Sequence, residues 1–185
     1  METTGERPQE SVAQDPEIMK SLALGIVGDM ARLFKEHGLT GKPMKIIEAL
    51  IFAMFVVTET FTAAQKGLDQ ARKSLDLFHQ DMVEYMFTEF LFKDRKARDM
   101  EEVQARFQEM RELINQRYQE YRRNFLEDYQ DKQMSFRRTF NSLTGYLLPE
   151  ALSEGQGKDR LIAEFSVKLA HFWSGCLSSF QPGQG

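Results

Sequence analysis

The sequence predicts an all-α fold, a helical bundle of five to six helices. Apolar residues recur at steps of three and four along most of the chain, which is the period of an amphipathic helix. No segment shows the apolar–polar alternation of a strand, and residues 93–144 contain neither proline nor glycine. At 185 residues the chain is long enough for one domain with a real core. We therefore expect a single helical-bundle domain over 15–180, between a disordered N-terminal tail (1–14) and a frayed C-terminal tail (181–185).

Helix-start and helix-stop signals divide the domain into elements. Asp15 followed by Pro16 is a favourable start for the first helix. Asp99 and Glu102 have the spacing of a capping box at the start of a later helix. The segments that follow from these signals and from the apolar period are 15–36, 43–65, 68–92, 94–147 and 159–180, with a loop over 149–158 before the last of them.

The fourth segment, about 94–147, is unusually long. Unbroken to Leu143, it would measure about 75 Å, roughly twice as long as its neighbours. We therefore predict either a kink near Asp131–Ser135 or a half that projects from the bundle and pairs elsewhere. Its apolar seam is narrow, as in a coiled coil, and rich in aromatic residues.

The most apolar stretch is Ile46 to Phe61, with an uninterrupted apolar run from Ala49 to Val57. As a helix, its apolar block spans about 18 Å, short of the roughly 30 Å of a bilayer core. We interpret it as the buried central helix of the bundle and do not expect an integral membrane protein. One stripe of this helix carries Phe52 and Phe55, which need a cover. Another helix of the chain, a second copy or a different partner could supply it.

Four polar residues fall on faces that the pattern marks as buried or partly buried. Glu48 and Glu59 flank the apolar stretch and are expected to form ion pairs. Glu89 lies in the middle of an apolar arc, where an unpaired carboxylate would be costly. We expect an ion pair with an arginine of the next helix, the alternative being a general base or ligand. An enzyme would need Glu89 to converge with His79, at the edge of the same arc, and with a third residue.

Composition and motifs exclude several classes of function. The net charge of -4 makes nucleic acid an unlikely partner. No Glu-x-x-His, phosphate loop or Cys-x-x-Cys is present, so we expect no metal, no cofactor and no catalytic residues. A single cysteine, Cys176, and the absence of an apolar leader segment suggest a cytoplasmic protein.

These observations favour a non-enzymatic interaction or scaffold protein. It would form a homodimer or dock a helical partner through apolar faces that carry Phe52, Phe55, Tyr118, Tyr121 and Phe125. One alternative is a bundle that binds a small apolar ligand or lipid, because ten Met and fifteen Phe make an adaptable interior. A related alternative is an amphipathic coat on a membrane or particle surface.

Overall fold

The computed structural model describes residues 10–39, 45–65, 68–91, 99–131, 136–147 and 156–180. These residues form six α-helices and no strand, which confirms the all-α prediction for the described part of the chain. A short π-helical turn, Phe87–Leu91, extends the third helix. The helices are α1 (Glu10–Glu36), α2 (Ile46–Ala64), α3 (Leu68–Met86), α4 (Met100–Gln130), α5 (Arg137–Leu147) and α6 (Gln156–Phe180).

Helix α2 is the centre of the bundle, as its composition predicts. From Ala49 to Val57, every residue is at most 1 % exposed. Helices α1 and α6 pack along it most extensively, and α3, α4 and α5 also contact it. Within the described residues, α2 alone is long and apolar enough to cross a membrane, and 72 % of its apolar window is buried inside the fold. The core helix of a bundle passes the same test of length and composition, and burial of this extent is typical of such a helix.

Three helices begin away from their predicted positions. Helix α1 begins at Glu10, before the predicted start at Asp15, and includes Pro16. Proline costs a helix a hydrogen bond but does not forbid helical turns before it. Helix α2 begins after Lys45 instead of at Pro43, and α6 begins at Gln156 instead of Asp159. Residues 1–9, 43 and 181–185 lie outside the described residues.

The long segment is divided into two helices, close to the predicted kink. Helix α4 ends at Gln130 and α5 begins at Arg137, so the unbroken helix to Leu143 is wrong. Phe136 precedes α5 with a φ of 43°, a left-handed conformation that interrupts helical geometry. The buried Asp128 carboxylate accepts hydrogen bonds from the backbone N–H groups of Arg138 and Thr139, at 3.1 and 3.0 Å. A side chain of α4 therefore caps the N-terminus of α5.

The start of α4 also follows from a capping residue. The Asp99 carboxylate accepts a hydrogen bond from the backbone N–H of Glu101. At 31 residues α4 is about 46 Å long, against about 28 Å for the 19 residues of α2. The N-terminal part of α4 runs beside the third helix, where Phe107 meets Phe87 of the π-helical turn.

Candidate functional site

The Phe52 and Phe55 stripe is covered by the same chain. The Phe52 ring meets Tyr121 edge-on, with ring centroids 5.2 Å apart, and Phe165 lies 5.9 Å away. Phe55 lies 5.8 Å from Tyr118 and 5.7 Å from Tyr121. Of the three covers that the sequence allowed, the structure shows the first: helices α4 and α6 of the same chain cover the stripe. This corrects the assignment of Phe52, Phe55 and Tyr121 to an open docking face, because these three residues are core.

Phe125 belongs to the same packed seam. Its ring stacks between Phe136 and Trp173, at centroid distances of 5.2 and 4.7 Å. The stack joins α4 to the start of α5 and to α6, so Phe125 faces neighbouring helices. The buried Tyr121 hydroxyl has no hydrogen-bond partner within the described part of the chain. Burial raises the pKa of Tyr121 and keeps the phenol neutral.

Glu48 and Glu59 both form the ion pairs expected of them. Arg117 donates two hydrogen bonds to Glu48, at 3.0 and 2.9 Å, and its guanidinium lies 3.4 Å from the centroid of the Tyr146 ring. Arg122 donates from two nitrogens to a single oxygen of Glu59, Oε1, in a more exposed position. Each hydrogen bond raises the pKa of its arginine. The bidentate Arg117–Glu48 pair and the Arg122–Glu59 pair both join α4 to α2.

Glu89 lies on the π-helical turn and is half-buried. A π-helical turn shifts the order in which side chains face the core, so a wheel drawn at the α-helical angle loses register there. The expected ion pair of Glu89 with an arginine of α4 stays a prediction.

His79 belongs to a cluster of three polar side chains from three helices. Its Nε2 lies 3.1 Å from the Thr58 hydroxyl of α2 and 3.0 Å from the Tyr118 hydroxyl of α4. The two hydroxyls are 3.3 Å apart, which closes a triangle of hydrogen-bonding groups. We call these three residues the polar triangle.

Burial acts on both titratable members of the polar triangle. It lowers the pKa of His79 below 6.5, and the nearby Asp76 carboxylate and Leu75 carbonyl oppose this effect. It raises the pKa of the Tyr118 phenol, opposed by the hydrogen bond from Thr58. Both groups are therefore neutral at pH 7.

A groove of about 650 Å³ lies between α3 and α4, next to the polar triangle. The two helices touch where the Phe87 and Phe107 rings meet at 5.4 Å and again where His79 meets Tyr118 at 5.6 Å. The buried side chains of Val83 and Ile114 supply apolar surface. The groove is lined by Asp76, His79, Gln80, Val83, Phe107, Arg111, Ile114, Asn115 and Tyr118.

Of the residues singled out in the sequence, the groove brings together only His79 and Tyr118. Glu89 does not line it, so the convergence that an enzyme would need is not seen at this groove. Sequence reasoning missed the remaining lining residues and Thr58. A partial signal was present, because the α3 residues Asp76, His79, Gln80 and Val83 have the spacing of one helix face. That spacing does not show that α3 and α4 leave a groove next to this face of α3.

The described residues contain no group of three or more His, Cys, Asp or Glu side chains that could hold a metal ion. Comparisons with protein-family models, with curated proteins and with solved structures each give no match. The groove and the polar triangle are therefore the basis for a functional proposal.

Proposed function

We propose that this chain is a non-enzymatic binding protein that holds a small amphipathic molecule in the groove between α3 and α4. The observation that carries the proposal is one groove that combines apolar walls with a hydrogen-bonded polar end. Its volume of about 650 Å³ falls in the usual range of small-molecule sites. The proposal follows the ligand-binding alternative, because Phe52 and Phe55, the expected docking face, are core residues.

The apolar part of such a ligand would lie against Val83, Phe107 and Ile114. Val83 and Ile114 are only 4 % and 6 % exposed, so they form a fixed floor, and the partly exposed Phe107 ring offers most of the apolar contact. Each methylene group that leaves water for this surface contributes about 0.8 kcal/mol. A tail of a few carbon atoms would therefore supply much of the affinity of a weak ligand.

The polar part would lie near His79 and Tyr118. A few polar groups in an otherwise apolar site fix the orientation of a ligand, and pKa values shifted by burial are common at such sites. Around them, Asp76, Gln80, Arg111 and Asn115 form an exposed polar rim. This arrangement suits a molecule with one polar head.

Binding without catalysis is favoured by the state of the reactive side chains. The raised pKa of Tyr118 makes this phenol a weaker acid than usual. Cys176 is buried on α6, and burial also raises the pKa of its thiol, which lowers the fraction of nucleophilic thiolate. Neither group has the electrostatic surroundings of an activated catalyst.

The test uses three compounds with one phenylbutyl tail and different heads: 4-phenylbutylamine, 4-phenylbutanol and 5-phenylpentanoate. Binding is measured by ligand-observed NMR and calorimetry on the full chain. Asn115→Trp fills the groove from its exposed rim, and Gln116→Trp is the matched control, because Gln116 is exposed beside it but does not line the groove. We expect at least one compound to bind, Asn115→Trp to abolish binding and Gln116→Trp to leave it unchanged. Absence of binding by all three, or equal loss in both variants, would contradict the proposal.

A further inference from the structure

We infer that the polar end of the groove selects a hydrogen-bond donor with positive charge, so that the ligand is an amphipathic amine. The inference rests on the proposed function and adds the chemical class of the ligand. It depends on the direction of the hydrogen bonds in the polar triangle and on the charges nearest to it.

The proton of neutral His79 is assigned to Nδ1. The Leu75 carbonyl, one helical turn earlier, stabilises an N–H of the ring and can only accept. Nε2 is the atom that faces the Thr58 and Tyr118 hydroxyls, and either hydroxyl can donate to it. When one ring nitrogen of a neutral histidine donates to a carbonyl, the other ring nitrogen carries no proton and can only accept. Nε2 is therefore the acceptor of the triangle.

The hydroxyl protons are then used within the triangle. Tyr118 donates to His79 Nε2, and Thr58 donates to Tyr118. This chain of donors runs from Thr58 through Tyr118 and His79 to the Leu75 carbonyl. The Tyr118 oxygen keeps a free lone pair, and Tyr118 lines the groove. A ligand that reaches this end must donate a hydrogen bond, which a carboxylate cannot do.

The unpaired charge beside the polar triangle is negative, so it favours a ligand with a positively charged head group. Asp76 lies one turn before His79 on α3, and its negative charge acts on the His79 ring. Asp76 has no ion-pair partner within the described residues. Arg111 is about 10 Å before Tyr118 along α4, at the scale over which salt screens exposed charges. The Glu59 and Arg122 charges near Tyr118 neutralise each other in their ion pair.

The aromatic lining favours the same head group. The rings of Phe107 and Tyr118 line the groove, and aromatic faces attract ammonium groups. An ammonium group could therefore donate to Tyr118, face Asp76 and contact an aromatic ring at the same time. An alcohol supplies one donor and no charge, so it should bind more weakly than the amine.

The experiment compares the affinities of the three phenylbutyl compounds for the full chain by calorimetry near neutral pH. We expect 4-phenylbutylamine to bind at least about tenfold more tightly than 5-phenylpentanoate, the scale of a hydrogen bond to a charged group. Asp76→Asn should weaken the amine roughly two- to fivefold, as for an exposed ion pair, and leave 4-phenylbutanol unchanged. The matched control is Glu84→Gln, an exposed acid on α3 that does not line the groove. It should change neither affinity.

The outcomes separate this inference from the proposed function. If the carboxylate binds more tightly than the amine and loses affinity in Arg111→Gln, the groove is a ligand site but the amine inference is overturned. Equal affinity for all three heads also overturns it, because the polar end would then select nothing. If none of the compounds binds, both the inference and the proposed function fail.

Discussion

The two halves of α4 differ in how their apolar seams are covered. Over 117–130 the seam is filled by rings: Tyr121 packs on Phe52 and Phe55, and Phe125 stacks between Phe136 and Trp173. Over 100–116 only Met110 and Ile114 are buried, and the α3–α4 groove begins beside them. The same heptad-like period therefore produces a closed interface in one half and an open groove in the other.

Whether an apolar seam of α4 is closed or open depends on how many helices pack against it. Helices α2, α5 and α6 all supply side chains to the second half, whereas the first half has α3 beside it. Two helices that touch at two points can leave a groove between those points, because no third helix fills the space. The closed half should therefore respond to substitution through stability, and the open half through binding.

The largest expected effect is the loss of a ring from the closed half. Phe52→Ala should lower the free energy of unfolding by about 3–5 kcal/mol, because it leaves a cavity among packed rings. Urea unfolding followed by circular dichroism measures this change. Met100→Ala in the open half should change the value by less than about 0.5 kcal/mol, because Met100 is 69 % exposed. A stable Phe52→Ala chain that loses only self-association would restore the docking hypothesis.

A smaller effect is expected at the two ion pairs between α2 and α4. The Glu48 and Arg117 side chains are 12 % and 16 % exposed, whereas Arg122, the partner of Glu59, is 59 % exposed. Glu48→Gln leaves a guanidinium with little water around it and should cost about 1–3 kcal/mol. Glu59→Gln should cost less than about 1 kcal/mol, since water can solvate the released arginine. Urea midpoints of the two variants, measured together, provide the comparison, and equal losses would contradict it.

The smallest expected effect is a pH dependence that originates at the polar triangle. Burial lowers the pKa of His79 in the folded chain, so the unfolded chain binds a proton more readily. Stability should therefore fall as the pH drops through 6.5 and stop falling once the folded chain is also protonated. The charges that face this ring are Asp76 on its own helix and, around Tyr118, Glu59 and Arg122.

His79→Gln should remove this component. The measurement is the difference in free energy of unfolding between about pH 7.5 and about pH 5.5 for the native chain and the variant. His171→Gln, at an exposed position on α6, is the control and should keep the native pH dependence. An unchanged pH dependence in His79→Gln would show that the buried imidazole does not carry the effect.

Much of the fold could be predicted from local patterns. The all-α class, the buried α2 and the Asp99 cap follow from apolar period and capping chemistry, and the break after Gln130 was one of the two alternatives that helix length left open. The start of α1 could not be predicted in the same way, because Pro16 is also a helix-start signal. The two ion pairs at Glu48 and Glu59 were predictable as pairs, since a carboxylate at the edge of an apolar helix needs a partner.

The candidate site could not be predicted from patterns along single helices. His79 and Tyr118 stood out in the sequence for separate reasons, but their contact depends on how α3 and α4 are placed around α2. The spacing along one helix determines which side chains share a face. It does not determine which other face lies opposite.

Local pattern alone was enough for the all-α class and for identifying the helix that is apolar enough to be central. The packing of the helices determines that Phe52 and Phe55 are covered within the chain and that a groove remains between α3 and α4. The physical reason is that apolar burial is non-directional: any apolar surface can satisfy a phenyl ring. Which surface does so depends on the packing of all the helices together.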